Sequence, residues 1–306
     1  MTYGRIAITG GTGRLGSYVV DAAPQGRAIT AIDVVPPTRD DIEFVQADIF
    51  DVEALTTAFA GHDAVMHLAA IPNVFAAPPE TIMKVNVQGT WNVLQAAESA
   101  GVKRVVLCSS DSATGYTLLA EHMKMPWYLP VDESHVMRPS DPYGLSKLLG
   151  EEIGRSFVRG GTLEVVALRP NFILFDDFRE EVSARANDPA NYNEPVAGVP
   201  RGAGGGPWCH YVEPADVAQA FWLALELREV SFDAFFISAA STYAPEPTLD
   251  FVERFFGKLP EVRKPDVYRN NAYAPLFDLS RARDFLGFEA SGTVGRRLAD
   301  DALGRG

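Results

Sequence analysis

Apolar and β-branched residues gather in short runs at positions 6–9, 28–34, 43–49, 64–70, 104–110, 164–170 and 234–240. Each run has the length of a strand buried on both faces. Between them lie longer stretches with helical spacing, at 14–23, 52–60, 79–100, 142–159 and 214–227. Strands alternating with helices predict a parallel sheet wrapped on both sides, because each parallel crossover needs a helix and both faces then need cover. The expected fold class is α/β, a doubly wound parallel (Rossmann) sheet.

The alternation fails after Pro170. Residues 176–194 are polar, 195–207 are rich in Gly and Pro, and from Tyr243 onward only short amphipathic pieces recur, such as 249–256 and 280–286. The Gly-rich stretch reads as a linker or as a loop closing over a ligand, and the loop is favoured because long connections inside a domain tend to be functional. The expected organisation is a nucleotide-binding domain over 1–172, completed by 212–240, with a smaller discontinuous substrate lobe from 173–211 and 241–306.

Composition narrows the classes of function. The 306 residues are 47% hydrophobic and 22% charged, ordinary for a chain folded nearly throughout. With 40 acidic against 27 basic residues the net charge is −13, which argues against nucleic-acid or anionic-membrane partners. No run approaches the roughly 18 apolar residues of a membrane span, and Met1 leads into an apolar strand without a signal-peptide pattern. A cytoplasmic setting is therefore expected. Cys108 and Cys209 are too few for a disulfide framework and lack the spacing of a zinc site, so no metal is expected.

The first run is followed by Gly10-Gly11-Thr12-Gly13-Arg14-Leu15-Gly16. Glycines at this strand-to-helix turn let the backbone bend tightly and approach a pyrophosphate, which the helix N-terminus then faces. A Gly-rich turn without a ligand is the bland alternative, and the placement between first strand and first helix weighs against it. Asp33 ends the second run about 20 residues beyond the glycines, where a carboxylate can accept hydrogen bonds from an adenosine ribose. A 2′-phosphate would meet like charge there, so NAD is expected over NADP, with Arg39 the one nearby residue able to moderate this. Asp48 reads equally well as an adenine contact or as a helix cap ahead of 52–60.

Tyr143 and Lys147 lie four apart, inside a helix that Asp141-Pro142 starts, and so share a face. An ammonium beside a phenol favours the phenolate and lowers its pKa. Ser109-Ser110 closes an apolar strand at the carboxyl end of the sheet, where such folds bind ligands, so Ser110 can hold a reacting oxygen while Tyr143 moves its proton. A capping role for Ser109 or Ser110 is the alternative.

Together with His67-Leu68-Ala69-Ala70, Asn86-Val87-Gln88-Gly89-Thr90, Leu168-Arg169-Pro170 and 211–218, these motifs resemble the extended short-chain dehydrogenase/reductase family, the NAD-dependent epimerase/dehydratase group, over about the first 240 residues. The resemblance implies Tyr143 as acid/base, Lys147 in its support, Ser110 on the reacting hydroxyl, and Asn86 as a structural or proton-relay residue. It implies cofactor contacts from Gly10, Gly13, Arg14, Leu15, Gly16, Asp33, Asp48, Ile49, Leu68, Ala69, Ala70 and Asn86, besides Tyr143 and Lys147. It also implies a homodimer through helices at 79–100 and 142–159, for which Val87, Trp91, Leu94 and Leu148 supply apolar positions that suit core packing equally.

Members of this family resemble one another in hydride transfer at a carbinol carbon and differ in substrate. Dehydratases of the group carry Asp-Glu after the hydroxyl residue, whereas Asp111-Ser112 follows Ser110. Nucleotide-sugar epimerases typically place an Arg where this chain has Cys209 and His210, and only Arg269 fits a second phosphate grip. About ten extra residues between Ser110 and Tyr143, including 125–129, are expected to narrow the pocket. These departures favour an NAD-dependent dehydrogenase of a sugar or sugar acid, with a UDP-sugar epimerase next and a non-catalytic NAD sensor as the reading of another class. The expected substrate contacts are Ser110, Asp111, Ser112, Asn171, Trp208, His210 and Arg269, the aromatic and polar groups suiting a sugar's face and hydroxyls.

Overall fold

Every apolar run predicted as a strand is one in the computed structural model, which describes residues 3–119, 122–161, 163–187 and 209–305. The strands are β1 (Arg5–Thr9), β2 (Ala28–Asp33), β3 (Glu43–Gln46), β4 (Ala64–His67) and β5 (Arg104–Cys108). A short β6 (Tyr128–Leu129) precedes β7 (Glu164–Pro170), β8 (Phe232–Ile237) and β9 (Glu261–Val262). Seven of them form one parallel sheet in the order β3-β2-β1-β4-β5-β7-β8. The order reverses beside β1, where β2 lies on one side and β4 on the other, so a crevice opens there at the carboxyl ends.

Alternation along each strand feeds two layers. Ile6 and Ile8 join Met66, Val106 and Val166 beneath helices α1 (Arg14–Asp21) and α7 (Pro214–Glu226). Ala7, Val65, Val105 and Val165 point to the opposite layer, with Leu55 of α2 (Val52–Phe59), Leu94 of α4 (Gly89–Ser99) and Phe157 of α5 (Pro142–Gly160). The predicted helix over 79–100 is three pieces: α3 (Pro79–Met83), a π-turn at Lys84–Gln88, and α4. Asn86 sits in the π-turn, a geometry that recurs where a helix is bent to place a functional group.

Several predicted strands are longer than the observed ones, ending at Asp33, Gln46, His67, Cys108 and Ile237. The residues beyond leave the ladder at the carboxyl edge of the sheet.

Past β7 the sequence pattern misses more. Polar residues 176–187 contain helix α6 (Arg179–Asn187), whose inner face buries an Arg185–Glu181 ion pair beside Val182 and Ala186. That face has no apolar period to read. Helices α8 (Thr248–Phe256), α9 (Pro265–Asn270) and α10 (Val294–Ala302) complete the chain's far end. Ala282, Leu286 and Phe288 pack into the sheet's own core, so part of 241–306 belongs to the nucleotide-binding layers. The extra residues at 125–129 do not form a pocket wall: β6 pairs with β9, and Trp127 is 59% exposed. The insertion ties the two halves of the chain together. Residues 188–208, with the Gly-rich stretch and Trp208, lie outside the described residues.

Glu151 on α5 is fully buried against Arg169 of β7, which is equally buried, through two hydrogen bonds of 2.8 Å. Burial pushes its carboxyl up, but Arg169, Ser109 and Arg155 together outweigh that and hold it below the usual range. Its contribution to stability is therefore present above the unfolded-state pKa and is lost as pH falls through the lower folded-state value. Removing one partner leaves a buried charge uncompensated, and Glu151→Gln is expected to cost about 3–5 kcal/mol. A urea-denaturation midpoint unchanged from wild type at neutral pH would refute this.

Candidate active site

The dinucleotide loop is built by exclusion. Gly10 has φ +72°, and a Cβ there would stand 2.6 Å from the Ala69 nitrogen; one at Gly16 would stand 2.0 Å from the Gly10 carbonyl. The loop therefore lies directly against the chain leaving β4, and only glycine permits both contacts. Gly13, the N-cap of α1, brings no side chain to the first-turn N–H groups, which leaves the helix N-terminus open to an anion. Asp33 accepts from the Val34 nitrogen at 2.8 Å through Oδ1, while Oδ2 has no hydrogen-bond partner among the described residues. These features fit a dinucleotide: pyrophosphate at Gly10–Gly16 and ribose hydroxyls at Asp33.

The catalytic helix starts as the sequence requires. Asp141 accepts from the Gly144 nitrogen at 2.9 Å and Pro142 occupies the first turn. A Cβ on Gly144 would stand 2.5 Å from the Ser112 carbonyl, so this glycine lets α5 press against the 3-10 turn Asp111–Thr114. That approach brings Ser110 close enough to Tyr143 for its hydroxyl to pull the phenol's pKa down against the burial that raises it. Ser110 is also the N-cap of the turn, its Oγ accepting from the Ser112 nitrogen at 3.1 Å. Capping and catalytic readings are thus compatible, since the cap fixes the hydroxyl.

Lys147 is buried with Nζ 2.8 Å from the Cys108 carbonyl and 5.6 Å from the centre of the Tyr143 ring. The expectation that its ammonium lowers the Tyr143 pKa is corrected: burial dominates and pushes the phenol well above its ordinary value, and burial likewise pulls Lys147 down. His67 is buried between Thr9 at 2.7 Å and Thr90 at 3.1 Å, and burial followed by the charge of Lys147 holds it down at about 3. It is a neutral brace below the crevice.

Other expected contacts go elsewhere. Arg14 pairs with Asp177 and stacks over Phe175 at 4.2 Å, linking the dinucleotide loop to the segment before α6. Arg39 is paired with Asp21 and Asp41 and so is not free to meet a phosphate. Asp48 accepts from the Phe50 nitrogen, and the cap of α2 is Asp51, not Asp48. Asn86 spends its amide on the backbone of Ile71, at 2.8 and 3.1 Å, and on Ser146 at 3.0 Å, which anchors the turn after Leu68, Ala69 and Ala70. Ile49 packs where Gly89 leaves room for it. Asn171 donates to Ser238 at 2.6 Å, and its Oδ1 is buried without a partner. Arg269 is 72% exposed and paired with Asp266, three residues back on its own helix. An exposed pair of this kind is weak and leaves the guanidinium within reach of solvent.

Asp111 and His210, expected as separate substrate contacts, are bonded to each other at 2.9 Å. Sequence reasoning also missed Ser146, whose hydroxyl donates to the Tyr143 carbonyl at 2.7 Å, and Glu151, which receives Ser109 at 2.7 Å. Glu151 was findable: it follows Lys147 by four residues, a carboxylate on the buried face of the catalytic helix.

A doubly wound sheet with a glycine cradle, a carboxylate at the end of β2 and a clustered Ser110, Tyr143 and Lys147 defines a dinucleotide-dependent oxidoreductase scaffold. The model of the NAD dependent epimerase/dehydratase family matches residues 6–237, and the chain belongs to that family. An L-arabinose 1-dehydrogenase (NAD(P)(+)) of Haloferax volcanii is 36% identical over 184 residues, 58% of this chain and 71% of the relative. A UDP-glucose 4-epimerase of Bacillus subtilis is 27% identical, over 96% of this chain and 95% of its own. Among solved structures, a short-chain dehydrogenase/reductase superfamily protein from Agrobacterium tumefaciens with bound NAD superposes with a TM-score of 0.67 at 26% identity, covering 98% of this chain and 97% of that one.

Two predictions follow from the cradle and the helix contact. Gly16→Ala is expected to weaken NADH binding by more than about tenfold, whereas Gly144→Ala leaves it within about threefold yet lowers turnover, because only the first reshapes the pyrophosphate cradle. NADH fluorescence titration separates the two; equal losses of affinity would contradict the assignment. Asp33 is expected to make NAD bind at least about tenfold tighter than NADP, and calorimetric titration giving the reverse order would show that this carboxylate does not face the ribose.

Proposed function

We propose that the chain is an NAD-dependent dehydrogenase that transfers hydride from a hydroxyl-bearing carbon of a sugar or sugar acid. The observation that carries this reading is the fate of the expected diphosphate grips. Cys209 and His210 are buried where the resemblance would place one arginine, and Arg269 is exposed and paired with Asp266. Cys209 and His210 have no bidentate fork with which to hold a nucleotide sugar, and Arg269 turns its own toward Asp266 in an exposed pair. A UDP-sugar epimerase is the second reading, favoured by the nearly full-length match to the Bacillus subtilis enzyme. A non-catalytic NAD sensor is disfavoured because Ser110, Tyr143 and Lys147 are all present and adjacent.

In this reading Ser110 holds the reacting oxygen, Tyr143 receives its proton as general base, and Lys147 orients the ribose. Bound NAD supplies the nicotinamide that accepts the hydride. Asp33 would hold its adenosine ribose, and Gly10, Gly13 and Gly16 its pyrophosphate. Trp91 is 46% exposed on α4 and Leu145 39% exposed on α5, apolar surface that supports a proposed homodimer through these helices; Leu94 is core and takes no part. A cytoplasmic setting belongs to the same proposal and is supported by the two free thiols, Cys108 and Cys209.

Purified protein with NAD and a panel of L-arabinose, D-galactose, D-glucose and their uronic acids is expected to release NADH in step with sugar consumed. Because burial raises the Tyr143 pKa, oxidation should climb with pH over roughly pH 7 to 10, as more phenolate becomes available. Tyr143→Phe should lose on the order of a hundredfold or more of this rate while still binding NADH. Epimer formation from a UDP-sugar without net NADH would move the second reading to first place.

A further inference from the structure

Asp111 and His210 form a pair that the proposed chemistry does not yet use. Asp111 is 7% exposed, and its carboxylate has two partners: the Ser110 hydroxyl donates to Oδ1 at 3.0 Å, and His210 Nε2 meets Oδ2 at 2.9 Å. His210 is 2% exposed and boxed by aromatic edges, 5.8 Å from the Tyr116 ring centre and 5.0 Å from that of Phe277. Its Nδ1 is buried with no hydrogen-bond partner among the described residues. A carboxylate on one nitrogen and nothing on the other selects the tautomer. With the proton on Nε2, the imidazole donates to Asp111 and leaves only a lone pair unpartnered. With it on Nδ1, the molecule would bury an orphaned N–H and set a lone pair against a carboxylate.

The backbone on both sides of His210 is fastened to the chain leaving β8. The Tyr243 nitrogen donates to the Cys209 carbonyl and the Ala239 nitrogen to the Tyr211 carbonyl, each at 2.7 Å. His210 is thus a fixed post, Asp111 is held by it, and Ser110 is held by Asp111.

We propose that Asp111 and His210 are a positioning pair for Ser110, His210 acting through Asp111 to hold the Ser110 hydroxyl in one orientation against Tyr143. The chain of hydrogen bonds is Ser110, Asp111, His210, spanning residues 99 positions apart at its last link, with Tyr143 beside its first member. Ser110 has one proton, which Asp111 takes here, so the pair fixes where the Ser110 oxygen stands and turns a lone pair toward the phenol of Tyr143. Without His210, the second oxygen of Asp111 would be left buried and unpaired, and the carboxylate would turn to find another donor. This inference rests on the dehydrogenase reading for its kinetic arm only.

The first arm is nitrogen-15 NMR of histidine-labelled protein saturated with NADH, the His210 signals being assigned by their loss in His210→Gln. Protonated Nε2 is expected, together with a change in those signals in Asp111→Asn. An Nε2 without a proton, or signals unmoved by Asp111→Asn, overturns the proposal. The second arm uses whichever of L-arabinose or D-galactose the wild type oxidises. Asp111→Asn and His210→Ala are expected to lower kcat by about tenfold or more with KM within about threefold, while NADH affinity holds. His210→Gln, whose side-chain N–H replaces Nε2–H, is expected to recover most of what His210→Ala loses. A rise in KM with kcat unchanged would make the two residues substrate contacts instead, and a Gln variant as impaired as the Ala variant would refute the positioning role. Failure of the wild type to oxidise any sugar would overturn the dehydrogenase reading, and the NMR arm would still decide the pair. Asp111→Asn, nearly isosteric, and His210→Gln keep both arms decisive where His210→Ala does not fold.

Discussion

The buried contact between Glu151 and Arg169 indexes the catalytic helix against the sheet. Glu151 lies on the face of α5 that carries Lys147, one turn earlier, and Tyr143, two turns earlier; its carboxylate grips Arg169 on β7 and receives the Ser109 hydroxyl at the end of β5. Three elements are thereby locked at one point. A one-residue slip of α5 would break an ion pair that has no water to fall back on, and it would also carry Tyr143 away from Ser110. The pair is poor value as a source of net stability, since desolvating both charges offsets most of their attraction. What it supplies is register.

Around that anchor the site is made of backbone approaches that only missing side chains allow. Gly10 and Gly16 bring the first loop against the chain after β4, Gly144 brings α5 against the turn after Ser110, and the π-turn aims Asn86 at Ile71. Each shortens a distance that a Cβ or a regular helix would lengthen. Buried in this way, the phenol of Tyr143 and the ammonium of Lys147 are both driven toward their neutral forms. Water exclusion, which protects hydride chemistry, therefore works against the charge separation that general-base catalysis needs, and a bound cation or a substrate hydroxyl must redress it.

The sheet was legible because a strand buried on both faces has to be apolar throughout, and seven such runs stood out. The cofactor loop and Tyr143–Lys147 were legible because their chemistry is local: adjacent glycines, or two residues one helical turn apart. What stayed hidden depends on distant partners. Helix α6 buries Glu181 and Arg185 together, so its inner face is written in charges that read as surface. Arg14 and Arg269 carry the right side chain for anion binding, yet Asp177 and Asp266 hold them, and nothing in the spacing announces that competition. The β6–β9 pairing joins residues more than 130 positions apart and rests on two-residue strands too short to show a period.

His210 illustrates the same limit from the side of function. In the sequence it follows a Gly-rich stretch and precedes the segment that starts α7, and it reads there as a substrate contact. Its environment makes it satisfied and unsatisfied at once: Nε2 holds Asp111, and Nδ1 holds nothing. A histidine kept only for packing would do as well with an apolar ring, given Tyr116 and Phe277 on its flanks, and a neutral residue beneath Ser110 would spare the cost of burying Asp111. The chain keeps both polar groups and aligns them on the one hydroxyl that faces Tyr143. The cap contact from the Ser112 nitrogen fixes the position of the Ser110 oxygen but leaves its proton free to rotate. A hydroxyl that must meet a reacting oxygen in one orientation needs a second, directional partner, and the carboxylate backed by the imidazole is that partner.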